Sequence, residues 1–119
     1  MIRQKPSGIL PTKEITAQFD MLYPILESVF GEIKELSKKK QDGALNEVKV
    51  KMTNKILSKV KTILKDDPTV EFLELLDDVS LPTNSDAVLI ITQFKAAMDQ
   101  YKSKHYYWNG QTHLWGTSD

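Results

Sequence analysis

The feature that most constrains the fold is a stripe of apolar side chains near the start of the chain. Its members follow one another at intervals of 4, 3, 4, 3, 4 and 3 positions: Ile15, Phe19, Leu22, Leu26, Val29, Ile33 and Leu36. An α-helix turns once in about 3.6 residues, so side chains at these intervals share one face. The stripe predicts a long amphipathic helix that begins after the N-cap Thr12 and ends at Gly43.

Pro24 lies inside this stripe. A proline in a helix interior removes one backbone hydrogen bond and costs about 3 kcal/mol. The stripe nevertheless stays in phase on both sides of Pro24. We therefore predict one bent helix rather than two separate helices.

Three further helices are predicted downstream. The second runs from about Ala44 to Lys65 and should place these apolar side chains on its inner side: Leu45, Val48, Met52, Ile56, Val60, Ile63 and Leu64. A short third helix is capped by Asp67 and extends to about Val79. A fourth begins at the cap Ser85 and carries a stripe of its own, which consists of Val88, Ile91, Phe94, Met98, Tyr101 and His105.

These segments predict an all-α fold. Because the first two helices are joined by a short connection, we expect an antiparallel, up-and-down helical bundle of three long helices and one short helix. A length of 119 residues suits one domain. We divide the chain into an N-terminal extension (1–11), the bundle (12–105) and an aromatic C-terminal tail (106–119).

The tail holds four aromatic residues within a ten-residue stretch. Tyr106, Tyr107 and Trp108 precede Asn109-Gly110, and Trp115 follows this pair. Asn-Gly between such segments is typical of a two-residue β-hairpin turn, so a short aromatic hairpin is expected. Its rings either close the end of the bundle or anchor another protein, since Trp and Tyr are enriched at binding hot spots.

Charge is divided unevenly along the chain, although the net charge is zero. Residues 34–65 contain ten lysines and three acids, a local net of +7, whereas residues 66–86 contain seven acids and no base. Three interpretations remain open: solvated or mutually attracting surfaces of one fold, self-association under two-fold symmetry, and neutralisation of nucleic-acid phosphates. Because the chain has fifteen lysines and one arginine, Arg3, sequence-specific base recognition is not expected.

Residues that carry catalysis are scarce. No cysteine is present, which excludes disulfides, a thiolate nucleophile and sulfur ligands for zinc. Neither a glycine-rich phosphate loop nor a Gly-x-Ser-x-Gly elbow occurs. His105 and His113 are too far apart for a helical metal pair, and His105 continues an apolar stripe, which favours a packed histidine. The sequence predicts no enzyme activity, no cofactor, no metal and no small-molecule substrate.

The function predicted from these patterns is a non-catalytic helical module that binds another protein or its own copy, including as a homodimer. Its expected contact residues are Lys51, Lys55, Lys61, Lys65, Tyr106, Tyr107, Trp108 and Trp115. One alternative is nonspecific nucleic-acid binding through the lysine-rich face of the second helix, and a second is a small regulator or inhibitor of a toxin, defence or phage system. No apolar run approaches about 18 residues and Met1–Leu10 lacks the order of a signal peptide, so we expect a cytoplasmic protein without a membrane partner.

Overall fold

Residues 9–119 are described by a computed structural model, and this part of the chain is mainly helical. It contains α1 (Lys13–Lys39), α2 (Glu47–Ile63), α3 (Asn84–His105) and an antiparallel hairpin of β1 (Tyr106–Trp108) and β2 (His113–Trp115). The predicted helical fold and the aromatic hairpin are confirmed. Most of the predicted N-terminal extension, residues 1–8, lies outside the described residues.

Helix α1 matches the prediction closely. The Thr12 hydroxyl accepts a hydrogen bond from the Ile15 N–H at 3.1 Å and caps the helix. Four members of the predicted stripe are buried: Phe19, Leu22, Leu26 and Ile33. The helix continues through Pro24, whose side chain is exposed, so the interpretation as one helix is confirmed.

The predicted inner side of helix α2 is confirmed in part, because four of its seven members are buried: Leu45, Val60, Ile63 and Leu64. The buried positions of α2 are Val50, Thr53, Leu57, Val60 and Ile63. Val48 and Met52, which we expected to face inward, are 65% and 63% exposed. A helical wheel weighs hydrophobicity alone, whereas the position of the neighbouring segments decides which side is covered.

The segment that links α2 to α3, residues 64–83, is called the crossover. The short helix predicted here is confirmed in part, because Pro68–Phe72 forms a 3₁₀ helix, but its predicted continuation to Val79 is wrong, since residues 73–82 form no helix. Asp67 does cap this turn as predicted, accepting the Thr69 N–H at 3.0 Å. Farther on, the Asn54 side chain accepts the Leu76 N–H at 2.8 Å and donates to the Leu76 carbonyl at 2.9 Å. Because a side chain satisfies this backbone, the segment needs no helix.

Helix α1 runs antiparallel to both other helices. Glu32 pairs with Lys49 near one end, and Phe19 stacks on Tyr101 near the other. Helices α2 and α3 run parallel, because Ala44 and Thr83 form a β-bridge before their starts, while Ile63 and Tyr101 line one cavity near their ends. The crossover returns the chain to the level at which α2 begins, so α3 runs in the direction that an up-and-down order gives to the fourth predicted segment.

Helix α3 also differs from the prediction at its start. Its N-cap is Thr83, whose hydroxyl accepts the Asp86 N–H at 3.1 Å, rather than Ser85. The predicted stripe does face the core, with these members buried: Ile91, Phe94, Met98, Tyr101 and His105. The shifted cap follows from the bridge to Ala44, which fixes Thr83 in an extended conformation.

Candidate interaction surfaces

The crossover presents a surface that combines acidic and apolar side chains. Its carboxylates belong to Glu71, Glu74, Asp77 and Asp78, and all four residues are exposed. Its apolar side chains belong to Phe72, Leu75 and Val79, which are 71%, 40% and 89% exposed. We call these seven residues the acidic surface.

Local hydrogen bonds fix the shape of this surface. The Asp77 carboxylate accepts the backbone N–H groups of Val79 and Ser80 at 2.8 and 2.9 Å. These two bonds hold the pKa of Asp77 below its usual range, because they favour the charged form. Leu73 and Leu76 point into the core and anchor the segment from beneath. These bonds and the two buried leucines thus hold the backbone that carries the acidic surface.

Beside Phe72 the surface continues onto α3 as a shallow apolar depression. It is lined by Thr69, Phe72, Leu73, Gln93, Ala96, Ala97 and Gln100, and its volume is about 400 Å³. Leu89, one helical turn before Gln93, is 60% exposed on the same side of α3. Large apolar side chains clustered on a surface are typical of contact sites.

A second mixed surface lies on the outward side of α2. Val48, Lys51, Met52, Lys55 and Lys59 follow one another at helical spacing and share this side. All five residues are exposed. We call them the basic face. Val48 and Met52 also border a groove of about 360 Å³ between α2 and α1, which Val29 and Ile33 help to line.

Two of the predicted lysines do not belong to the basic face. Lys61 lies about a quarter of a turn away from Lys51 around α2, and Lys65 lies beyond the last residue of the helix, Ile63. Lys61 is half-buried, and Lys65 borders a cavity together with Asp66 and Asp67. The structure therefore separates the predicted lysine set into Lys51 and Lys55 on one side and Lys61 and Lys65 on another.

The opposite charges of the two segments form no ion pair with each other in the described chain. Among residues 9–119, no lysine of residues 34–65 lies within 4.0 Å of a carboxylate of residues 66–86. Of the seven acids in 66–86, Asp67 alone has a lysine partner in the described chain, and that partner is Lys104 of α3. Lys51 pairs with Glu47 of its own helix at 3.1 Å. The interpretation that the two segments attract each other internally has no ion pair to support it.

The aromatic tail packs on the bundle mainly through Trp115. Its ring meets Phe19 edge-on with centroids 5.0 Å apart, and its Nε1–H donates to Asp20 at 3.2 Å. The hairpin register pairs Tyr106 with Trp115 and Trp108 with His113. Tyr106, Tyr107 and Trp108 are all partly exposed. Trp115 therefore closes the bundle, whereas the three residues of β1 keep surface available for contact.

A cavity of about 630 Å³ opens where α2 and α3 end beside the start of α1. Asp67 at its wall is buried and accepts bonds from Thr69 and from Lys104, the latter at 2.9 Å. Burial opposes the charge of this carboxyl, but the bonds from Thr69 and Lys104 outweigh it and hold the pKa of Asp67 below its usual range. Burial, reinforced by Asp67 and Asp66, raises the pKa of Tyr101 to about 12. The pair of Asp67 and Lys104 thus joins the crossover to the end of α3 at the wall of this cavity.

His105 lies in the core, and residues 9–119 bring together no cluster of metal-ligating side chains. His105 is 3% exposed and packs edge-on against Tyr101 with centroids 4.7 Å apart, which confirms the expected packed histidine. No group of three or more metal-ligating side chains comes together within residues 9–119. In the same range, none of the helices has the length and apolarity required to cross a bilayer. The features that remain as candidate sites are the acidic surface, the basic face and the exposed part of the tail.

No protein-family model matches this chain, and neither the curated proteins nor the solved structures contain a significant match to it. Function is therefore argued from the surfaces alone.

Proposed function

We propose that this chain is a non-catalytic protein-binding module located in the cytoplasm, which acts by docking its charged and apolar surfaces on another protein chain. The observation that carries the proposal is that each of two surfaces combines exposed apolar side chains with charges of one sign. In the described chain, no ion pair joins the charges of one segment to those of the other. Exposed apolar groups gain free energy when a partner covers them. Charges of one sign steer the encounter and reject partners of like charge.

The acidic surface is the stronger of the two candidates. Phe72 is an aromatic residue that is 71% exposed beside an apolar depression, and aromatic anchors seated near pockets dominate binding energies. Its four carboxylates select a partner with basic side chains. The predicted tail residues Tyr107 and Trp108 would add contacts in a larger interface.

A crosslinking experiment tests this proposal. A photo-reactive amino acid replaces Phe72 in one variant and Ala17, an exposed residue of α1, in a control variant, and both are irradiated in extract from the source cells. We expect a crosslinked protein at position 72 that is absent at position 17. The captured protein, purified, should then bind the wild-type chain and bind the Phe72→Ser variant at least about tenfold more weakly, as expected for a contact residue. Identical products at both positions, or no product at position 72, would contradict the proposal.

The alternative is nonspecific nucleic-acid binding through the basic face. The observation that favours it is that Lys55 and Lys59 have no carboxylate within 4.0 Å in the described chain. Titration of a labelled DNA duplex at increasing salt tests it. Binding through lysine–phosphate contacts must weaken steeply with salt, and Lys55→Ala with Lys59→Ala must reduce the slope. Absence of binding at low salt would eliminate this alternative. Regulation of a toxin, defence or phage component is a further proposal within the protein-binding function, with the captured protein as its test.

A further inference from the structure

We propose that the acidic surface of one protomer receives the basic face of a second copy of this chain, and that two-fold symmetry forms this contact twice in one dimer. The inference deepens the proposed function by naming the partner and the two surfaces. It rests on three properties of these surfaces: their apolar content, their charges and their positions.

The apolar parts of the two surfaces can cover each other. Five of the large apolar side chains that the fold leaves exposed lie on the two surfaces: Val48, Met52, Phe72, Leu75 and Val79. A flexible methionine adapts its shape to an aromatic ring, and the sulfur gains a favourable contact with it. Met52 of one copy and Phe72 of the other are therefore suited to form the centre of the contact.

Charge complementarity selects the same pairing. The basic face carries three lysines, and the acidic surface carries four carboxylates. In the described chain none of these lysines pairs with any of these carboxylates, and Lys51 alone has a partner, Glu47. Like surfaces repel each other, so contacts between two acidic surfaces or two basic faces are disfavoured. The pairing between unlike surfaces of two copies is the one that joins opposite charges.

The positions of the surfaces allow the contact to close. Asn54 of α2 bonds to Leu76 of the crossover, so the segment that carries the acidic surface packs beside the helix that carries the basic face. A two-fold axis that passes between them places each basic face on the partner's acidic surface. Surfaces on opposite sides of a protomer would instead generate open chains. The geometry therefore points to a closed dimer.

Charge exchange between two variants tests this arrangement. The first variant carries Glu71→Lys, Glu74→Lys and Asp78→Lys, which leaves one carboxylate against three new lysines and makes both of its surfaces positive. The second carries Lys55→Glu and Lys59→Glu, which makes both surfaces negative. Each variant alone should dimerise at least about tenfold more weakly than the wild type, because attraction is replaced by repulsion in both contacts. Mixed in equal amounts, the two should form a heterodimer, since every positive surface then meets a negative one.

Sedimentation velocity at low salt measures the three samples, and circular dichroism verifies that each variant retains its helices. A matched control carries Glu27→Lys, Glu35→Lys and Asp42→Lys, three exposed acids outside both surfaces, and should dimerise like the wild type. Recovery of a dimer in the mixture supports the proposal, because damaged folds would not repair each other. A wild type that stays monomeric at every concentration, or variants that fail to pair when mixed, would overturn it. Both of these negative results would concern the dimer alone. The crosslinking experiment at position 72 could still identify a different protein as the partner, so the dimer and the protein-binding function are tested separately.

Discussion

Replacement of Asn54 by alanine should detach the crossover from α2. The Asn54 amide makes two hydrogen bonds to Leu76, at 2.8 and 2.9 Å, and Leu76 is 3% exposed. Loss of both bonds leaves a buried N–H and a buried carbonyl without partners, and each bond contributes about 1 to 1.5 kcal/mol. Alanine stabilises the helix by about 0.6 kcal/mol relative to asparagine, because its helix propensity is higher. The net loss in the free energy of unfolding is therefore about 2 kcal/mol.

Urea unfolding followed by circular dichroism measures this loss, and the melting temperature should fall by about 10 °C for a domain of this size. Ser58→Ala is the matched control, because Ser58 is exposed one turn farther along α2 and its side chain makes no hydrogen bond within the described residues. Its free energy of unfolding should stay within about 0.5 kcal/mol of the wild type. An Asn54→Ala variant as stable as the Ser58→Ala control would refute the account of how the crossover is held.

Three further variants test other parts of the structure by the same unfolding measurement. The Trp115→Ala change should lower the free energy of unfolding by about 2 to 3 kcal/mol, because the ring packs against Phe19. The Trp108→Ala change should lower it by less than about 1 kcal/mol, and equal losses would contradict the packing described. Asp67→Asn should be less stable than the wild type at neutral pH. Because folding lowers the pKa of Asp67, its charge stabilises the fold above the unfolded pKa near 3.8. The difference in stability between the wild type and Asp67→Asn should vanish as the pH falls through the folded pKa, and a difference independent of pH would exclude this role. Gly110→Ala should cost about 1 kcal/mol, because Gly110 has a φ of +100°, and unchanged stability would argue against this turn.

The sequence was sufficient to predict the elements that rest on local patterns. The stripe from Ile15 to Leu36 predicts α1 because its period is that of a helix, and Asn109-Gly110 predicts the hairpin because its turn needs a positive φ. The caps Thr12 and Asp67 were found for the same reason, since capping depends on neighbours in sequence.

Features that depend on distant contacts were not predictable. The crossover is not helical around Leu76 because Asn54, 22 positions away, bonds to the Leu76 backbone, and a lone asparagine on a helix gives no signal of this role. The exposure of Met52 depends on where the crossover and α1 lie against α2. For this reason the sequence predicted the acidic charge of this segment but not the exposure of Phe72. The position of an aromatic residue among closely spaced acids was nevertheless a signal of an exposed ring.

The central claim is that charges which remain unpaired within the fold are used between molecules. Light scattering of the wild-type chain at low and at high salt tests this claim most directly, because salt screens contacts between exposed charges. The account predicts a molar mass near twice the protomer's 13.6 kDa at low salt, which falls toward the protomer value as salt is added. A molar mass that is the same at both salt concentrations would contradict it.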